Sequence, residues 1–96
     1  MNVIAKTEVM KAAEKFGVTG ECDIWYRTVR KANWKSLIEV REAFPSADKV
    51  GDKLVFNIGH NLYRLIVRVD FAKNVMFFRG LITHREYDRE DWKKWK

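Results

Sequence analysis

The residues best suited to chemistry on a phosphate are gathered in the second half of this chain. Arg64 and Arg68 alternate along one apolar segment, Arg79 lies in the next, and Thr83-His84-Arg85-Glu86-Tyr87-Asp88 puts a histidine three residues before a tyrosine. A guanidinium stays charged and can grip two phosphate oxygens at once. A histidine can take or give a proton near neutral pH, and a tyrosine can stack on an unpaired base or turn its hydroxyl toward phosphate. Held together, such groups would bind a phosphodiester and move a proton beside it. That chemistry suits RNA binding, and also RNA cleavage without a metal, in which the neighbouring 2′-hydroxyl is the nucleophile.

Each candidate has a structural alternative. His84 is the proton-transfer candidate, or else a strand-end residue bonded to backbone. Arg64 and Arg79 are candidates for scissile-phosphate and transition-state binding. The alternative for Arg64 is an ion pair with Asp70 or Glu86. Strict alternation puts Arg79 on the face of Val75, Phe77 and Leu81, where it would be a paired arginine at the core edge. Tyr87 reaches the same site if the chain turns helical after Thr83; otherwise it anchors the C-terminal segment. Lys53 and Arg68 read as outer phosphate contacts, with a solvated surface role the plainer one for each. Trp92 and Trp95, at i and i+3, are expected to pack on the domain, leaving Lys93, Lys94 and Lys96 available to RNA. Asn57 reads as a hydrogen-bonding turn residue.

The composition limits what can surround such a site. Ninety-six residues make one domain, 1–96, and a hydrophobic fraction of 47% with four Trp and six Phe supplies its core. One cysteine, Cys22, forms no internal disulfide, and two histidines give no zinc constellation, so neither metal nor cofactor is expected. The stretch from Met1 to Lys6 lacks the apolar run of a signal peptide, and no segment is long enough to span a bilayer, so a cytoplasmic protein is expected. Net charge is +6, with eight Lys/Arg against seven Asp/Glu in residues 1–48 but eleven against six in residues 49–96. The basic half holds the candidate site, which points to RNA, DNA or an acidic protein as partner. Charge spread for solubility is the competing explanation.

The spacing predicts a helix capped by Thr7, with Val9, Met10, Ala13 and Phe16 on one stripe and Gly17 as its stop. A second helix is capped by Thr19, with Ile24, Trp25, Thr28, Val29 and Ala32 inward and Arg27, Arg30 and Lys31 outward. Ser36 and Glu39 suggest a capping box for a short third helix ending before Pro45. The period then changes. Strands are predicted over Lys53 to Ile58, Leu62 to Asp70 and Val75 to Ile82, joined by turns at Gly59-His60-Asn61 and Lys73-Asn74. Leu65, Val67 and Val69 should face the helices, and Arg64, Ile66 and Arg68 the other side. The expected fold class is α+β, a helical hairpin packed on a small antiparallel sheet.

Val55-Phe56-Asn57-Ile58-Gly59, Asn61-Leu62-Tyr63-Arg64 and Thr83-His84 followed by Glu86-Tyr87-Asp88 resemble HigB-type toxins, a branch of the RelE-like superfamily of ribosome-dependent mRNA interferases. The resemblance covers nearly the whole length, including a leading strand before the helices. It implies a metal-independent endoribonuclease that enters the ribosomal A site and cuts mRNA during translation. It also implies a cognate helix-turn-helix HigA-type antitoxin from the same operon, with mRNA and ribosomal RNA as further partners, no membrane, and no direct DNA binding by this chain. One position departs from the pattern: His60 stands where a second glycine is usual, a change that a left-handed turn can absorb. A non-catalytic RNA-binding or ribosome-associated module is the alternative that the same basic sheet would serve.

Overall fold

The computed structural model describes all residues, Met1–Lys96. The elements in chain order are β1 (Asn2–Ile4), α1 (Lys6–Phe16), α2 (Thr19–Lys31), α3 (Leu37–Ala43), β2 (Asp48–Val50), β3 (Lys53–Ile58), β4 (Tyr63–Asp70), β5 (Val75–Thr83) and α4 (His84–Asp88), followed by a 3₁₀ turn over Asp91–Lys94. One sheet runs in the order β1-β5-β4-β3-β2. The β3–β4–β5 meander is antiparallel as expected, and β1 adds a parallel edge by pairing Val3 with Met76. The α+β class and the helical hairpin follow the sequence reading. No helix is long and apolar enough to cross a membrane.

Both faces of the sheet are covered, by different parts of the chain. On one, Val9, Ala13, Cys22, Trp25, Val29 and Val40 from the helices join Leu54, Phe56, Leu65, Val67 and Met76 in the main core. Trp25 and Phe56 meet edge to face with ring centres 5.4 Å apart, a geometry that fixes the rotation of α2. On the other face, Val55, Ile66 and Ile82 bury Trp92, with Tyr87 and Trp95 packed around them. Trp92 and Trp95 pack on the domain as expected, and they do so on the face of Ile66, away from the helices.

Several local expectations change. Thr7 does not cap α1; the cap position is Ala5, with no side-chain bond, because the chain turns into the helix directly after pairing Ile4 with Phe77. Gly17, at φ 68°, ends α1 as expected. Val18, not Thr19, stands at the cap of α2, Thr19 being its first helical residue, and the buried stripe is Cys22, Trp25 and Val29, which leaves Ile24 59% exposed. Ser36 stands at the cap of α3 without a side-chain bond, and Glu39 accepts instead from the amide of Lys35. Simple alternation fails in β5: Ile66 pairs with Gly80 but Val67 pairs with Phe78, so Arg79 is an extra residue in a β-bulge. Its phase is reset there. Met76, Phe78 and Leu81 face the helices, while Phe77 takes the guanidinium of Arg68 on the other face.

Candidate active site

The site forms where the β3–β4 turn meets the end of β5. Gly59, His60 and Asn61 all adopt positive φ, at 63°, 54° and 72°. Only the glycine is also hemmed in, since a Cβ there would come within 3.1 Å of Tyr63 and Val18. His60 takes the left-handed conformation that the missing second glycine requires. The turn is closed by the amide of Leu62 on the carbonyl of Gly59 at 3.1 Å, and the amide of His84 donates to the carbonyl of Leu62 at 3.0 Å. The start of α4 is therefore fastened to the turn.

Arg64 belongs to this corner. It pairs with Asn57 on β3 and Ile82 on β5, and its Nη1 donates to the carbonyls of Asn61, at 3.0 Å, and Tyr63, at 3.2 Å. Neither Asp70 nor Glu86 pairs with it; the ion-pair alternative fails because Glu86 is engaged in capping α4. Arg64 is only 7% exposed, which corrects the expectation of a solvent-facing side chain. Its guanidinium carbon lies 5.3 Å from the centre of the Tyr87 ring.

Tyr87 sits on α4, the helix that was a condition of its reaching the site. Thr83 caps this helix in a full capping box: its hydroxyl accepts from the amide of Glu86 at 3.1 Å, and the Glu86 carboxylate accepts from the amide of Thr83 at 3.2 Å. Trp92 stacks on Tyr87 with ring centres 4.9 Å apart and planes 12° from parallel, and its Nε1 donates to the Tyr87 carbonyl at 2.9 Å. Trp92 and Arg64 thus both pack against the Tyr87 ring. His84 begins the same helix, about half exposed, with Nδ1 3.0 Å from Oδ2 of Asp88.

The other candidates fall elsewhere. Arg79 is exposed on the bulge, bonds through Nη1 to the carbonyl of Phe78 at 3.3 Å, and lies 5.6 Å from the Phe77 ring. The core-edge alternative for it is overturned by the bulge. Lys53 and Arg68 are direct partners across β3 and β4. Lys53 is not an outer residue: it is 6% exposed, with Asp52 its ion-pair partner at 3.4 Å. Arg68, half-buried, lies 4.4 Å from the centre of Phe77. Four residues along β4 separate Arg64 from Arg68, roughly 13 Å at the usual rise. Lys93 and Lys94 are exposed beyond α4, Lys93 bonded to Glu90 at 2.8 Å. The arrangement thus brings together Arg64, Tyr87 and His84, and puts Arg68 and Arg79 around Phe77 farther along the sheet, with Lys53 on the strand beside Arg68. Asp88 was not among the candidates, although its i,i+4 spacing from His84 was visible.

Comparisons with known proteins bear on the family of this chain. Residues 19–90 match the family model of the HigB toxin, described as the RelE-like toxic component of a toxin-antitoxin system. Over 92 residues the chain is 34% identical to the mRNA interferase toxin HigB of Escherichia coli strain K12, covering 92% of this chain and 88% of that protein. The same figures hold for the mRNA interferase HigB of Shigella flexneri. A HigB from Escherichia coli O6:H1 is 28% identical over 93 residues, 93% of this chain and 90% of its own length. With the family model matched over three-quarters of its length and both sheet and C-terminal helix in place, this chain belongs to the HigB family of RelE-like toxins.

Proposed function

We propose that this chain is a ribosome-dependent mRNA endonuclease that arrests translation, using the RNA's own 2′-hydroxyl as nucleophile. In that reaction the 2′-oxygen attacks phosphorus and loses its proton, the bond from phosphorus to the 5′-oxygen breaks, and the departing oxygen takes up a proton. The products are a 2′,3′-cyclic phosphate and a 5′-hydroxyl. Arg64 supplies fixed charge for the scissile phosphate, Arg79 adds charge from farther along the sheet, His84 carries a proton, and Tyr87 offers its hydroxyl to a phosphate oxygen. Arg68, Lys93 and Lys94 hold RNA phosphates away from the cut, whereas Lys53, buried against Asp52, is left out of this set. The observation that carries this reading is the contact between Arg64 and Tyr87 beside His84 at one corner of the sheet. The relatives named as mRNA interferases support it.

The test uses purified protein, programmed ribosomes and mapping of mRNA 5′ ends. New ends at defined sites that vanish when the ribose there lacks its 2′-hydroxyl would support the mechanism. Ribosome binding without new ends in active translation complexes would favour a non-catalytic, ribosome-associated module instead.

Family membership implies a cognate antitoxin. In this proposal it is a HigA-type helix-turn-helix protein from an adjacent gene, and it acts in the cytoplasm, where translating ribosomes are. Co-expression of that neighbour should relieve growth arrest; arrest that continues in the presence of the folded neighbour would exclude it as the partner.

A further inference from the structure

Three hydrogen bonds fix the backbone around His84. The capping box between Thr83 and Glu86 pins the first turn of α4, and the amide of His84 is tied to Leu62. What remains free is the rotation of the imidazole about its side-chain bonds. Asp88 takes up that freedom, with Oδ2 3.0 Å from Nδ1. The other acidic side chain of the helix, Glu86, is already committed to the cap.

A surface pair at i,i+4 could be only a helix-stabilising contact. This one runs the wrong way for that purpose. Helices favour acidic residues in the first turn and basic ones in the last, and here the imidazole begins the helix while the carboxylate ends it. The pair therefore opposes the helix dipole, and its geometric result is a held ring.

We infer that Asp88 is a positioning residue for His84, holding the neutral imidazole with its proton on Nδ1 so that the Nε2 lone pair faces outward to accept the proton of the attacking 2′-hydroxyl. This deepens the nuclease reading and rests on it. When the 2′-oxygen attacks, its proton passes to Nε2, the ring becomes imidazolium, and the 5′-oxygen takes a proton from water as its bond to phosphorus breaks. The Asp88 carboxylate, on the far nitrogen, stabilises the positive ring as it forms. Without a partner, a free imidazole favours the tautomer protonated on Nε2, which has no lone pair to offer there.

The two roles can be separated because the chain has only two histidines, and His60 serves as internal reference. Nitrogen–proton correlation spectra of ¹⁵N-histidine-labelled protein report the neutral tautomer of each ring. The intact protein should show His84 mainly protonated on Nδ1, Asp88→Ala should move it toward the Nε2-protonated form, and Asp88→Glu should partly restore it. Single-turnover cleavage on programmed ribosomes should fall roughly 10- to 100-fold in Asp88→Ala, with ribosome affinity unchanged and partial rescue in Asp88→Glu. An unchanged His84 tautomer overturns the inference, as does an unchanged rate while His84→Ala is inactive. If His84→Ala itself cuts at the full rate, what falls is the proton-transfer role of His84 in the nuclease reading, and the positioning role falls with it.

Discussion

The guanidinium of Arg64 lies over the ring of Tyr87, 5.3 Å from its centre, and joins the middle strand of the sheet to the C-terminal helix. Arg64 thus serves the fold, and in the proposed function it also serves the substrate. Arg64→Ala should lose stability, about 1–3 kcal/mol, because it leaves the carbonyls of Asn61 and Tyr63 without their side-chain donor. It should also lose roughly 10²- to 10³-fold in cleavage rate. Arg64→Lys keeps the charge but not the planar fork. Urea unfolding and single-turnover kinetics on the two variants would measure the duties separately, and a fully stable Arg64→Ala would contradict the buried geometry.

Arg79 gives the opposite expectation. It is exposed at a bulge and bonds only to the carbonyl of Phe78 next to it, so Arg79→Ala should change stability by no more than about 0.5 kcal/mol. Activity should nevertheless fall if its charge serves the phosphate. A large drop in melting temperature would return Arg79 to the core edge.

What the sequence made legible was the periodic part of the chain. The strand Lys53–Ile58 has the bounds read from its pattern, and Leu65, Val67 and Val69 meet the helices as alternation requires. The failures lie where one element answers to another. Arg79 and Gly80 break the alternation of β5 by a bulge whose only signal in sequence is an unremarkable Arg-Gly pair. Ile24 was assigned inward because isoleucine is apolar, yet the rotation of α2 is set by Trp25 against Phe56, and Cys22 takes the buried position. Lys53 and Arg64 read as reachable from solvent, because the local pattern shows that Trp92 packs on the domain but not which face it covers. At the site, the residue types pointed to Arg64, His84 and Tyr87, whereas the link from His84 to Asp88 depends on a five-residue helix that the pattern alone made only conditional.

Trp92 is the test of that returning segment. It is 1% exposed, stacks on Tyr87 and bonds to its carbonyl. Trp92→Ala should cost about 3–5 kcal/mol, as for other large aromatic truncations in a core, and should release Tyr87 from Arg64. Trp92→Phe keeps a ring against Tyr87 and gives up the hydrogen bond, so its stability loss should be smaller, about 1 kcal/mol from that bond with some added for volume. If Trp92→Phe retains cleavage while losing stability, the stack is what positions Tyr87. If Trp92→Ala unfolds no more readily than the intact protein, the segment does not hold the sheet face.

Cys22 ties the main core to pH. Its side chain is fully buried, and burial pushes the thiol up to about 11 from an ordinary value of 9.0, with the charge of Glu21 adding to the effect. The thiol should resist alkylation in the native protein and react once the chain is unfolded in urea. The linkage has a definite sign. Below pH 9 the thiol is protonated in both states and contributes nothing to the pH dependence; between 9 and about 11 the unfolded chain ionises and gains free energy that the native state cannot. Stability should therefore fall with rising pH across that window, and the fall should be shallower in Cys22→Ala, which has no thiol to ionise. Lysines and tyrosines titrate in the same range, so the measurement is the difference between the two proteins' urea midpoints at each pH, not either curve alone. Parallel curves from pH 8 to 10.5 would mean that the thiol ionises equally well in both states and that α2 does not seal it from water.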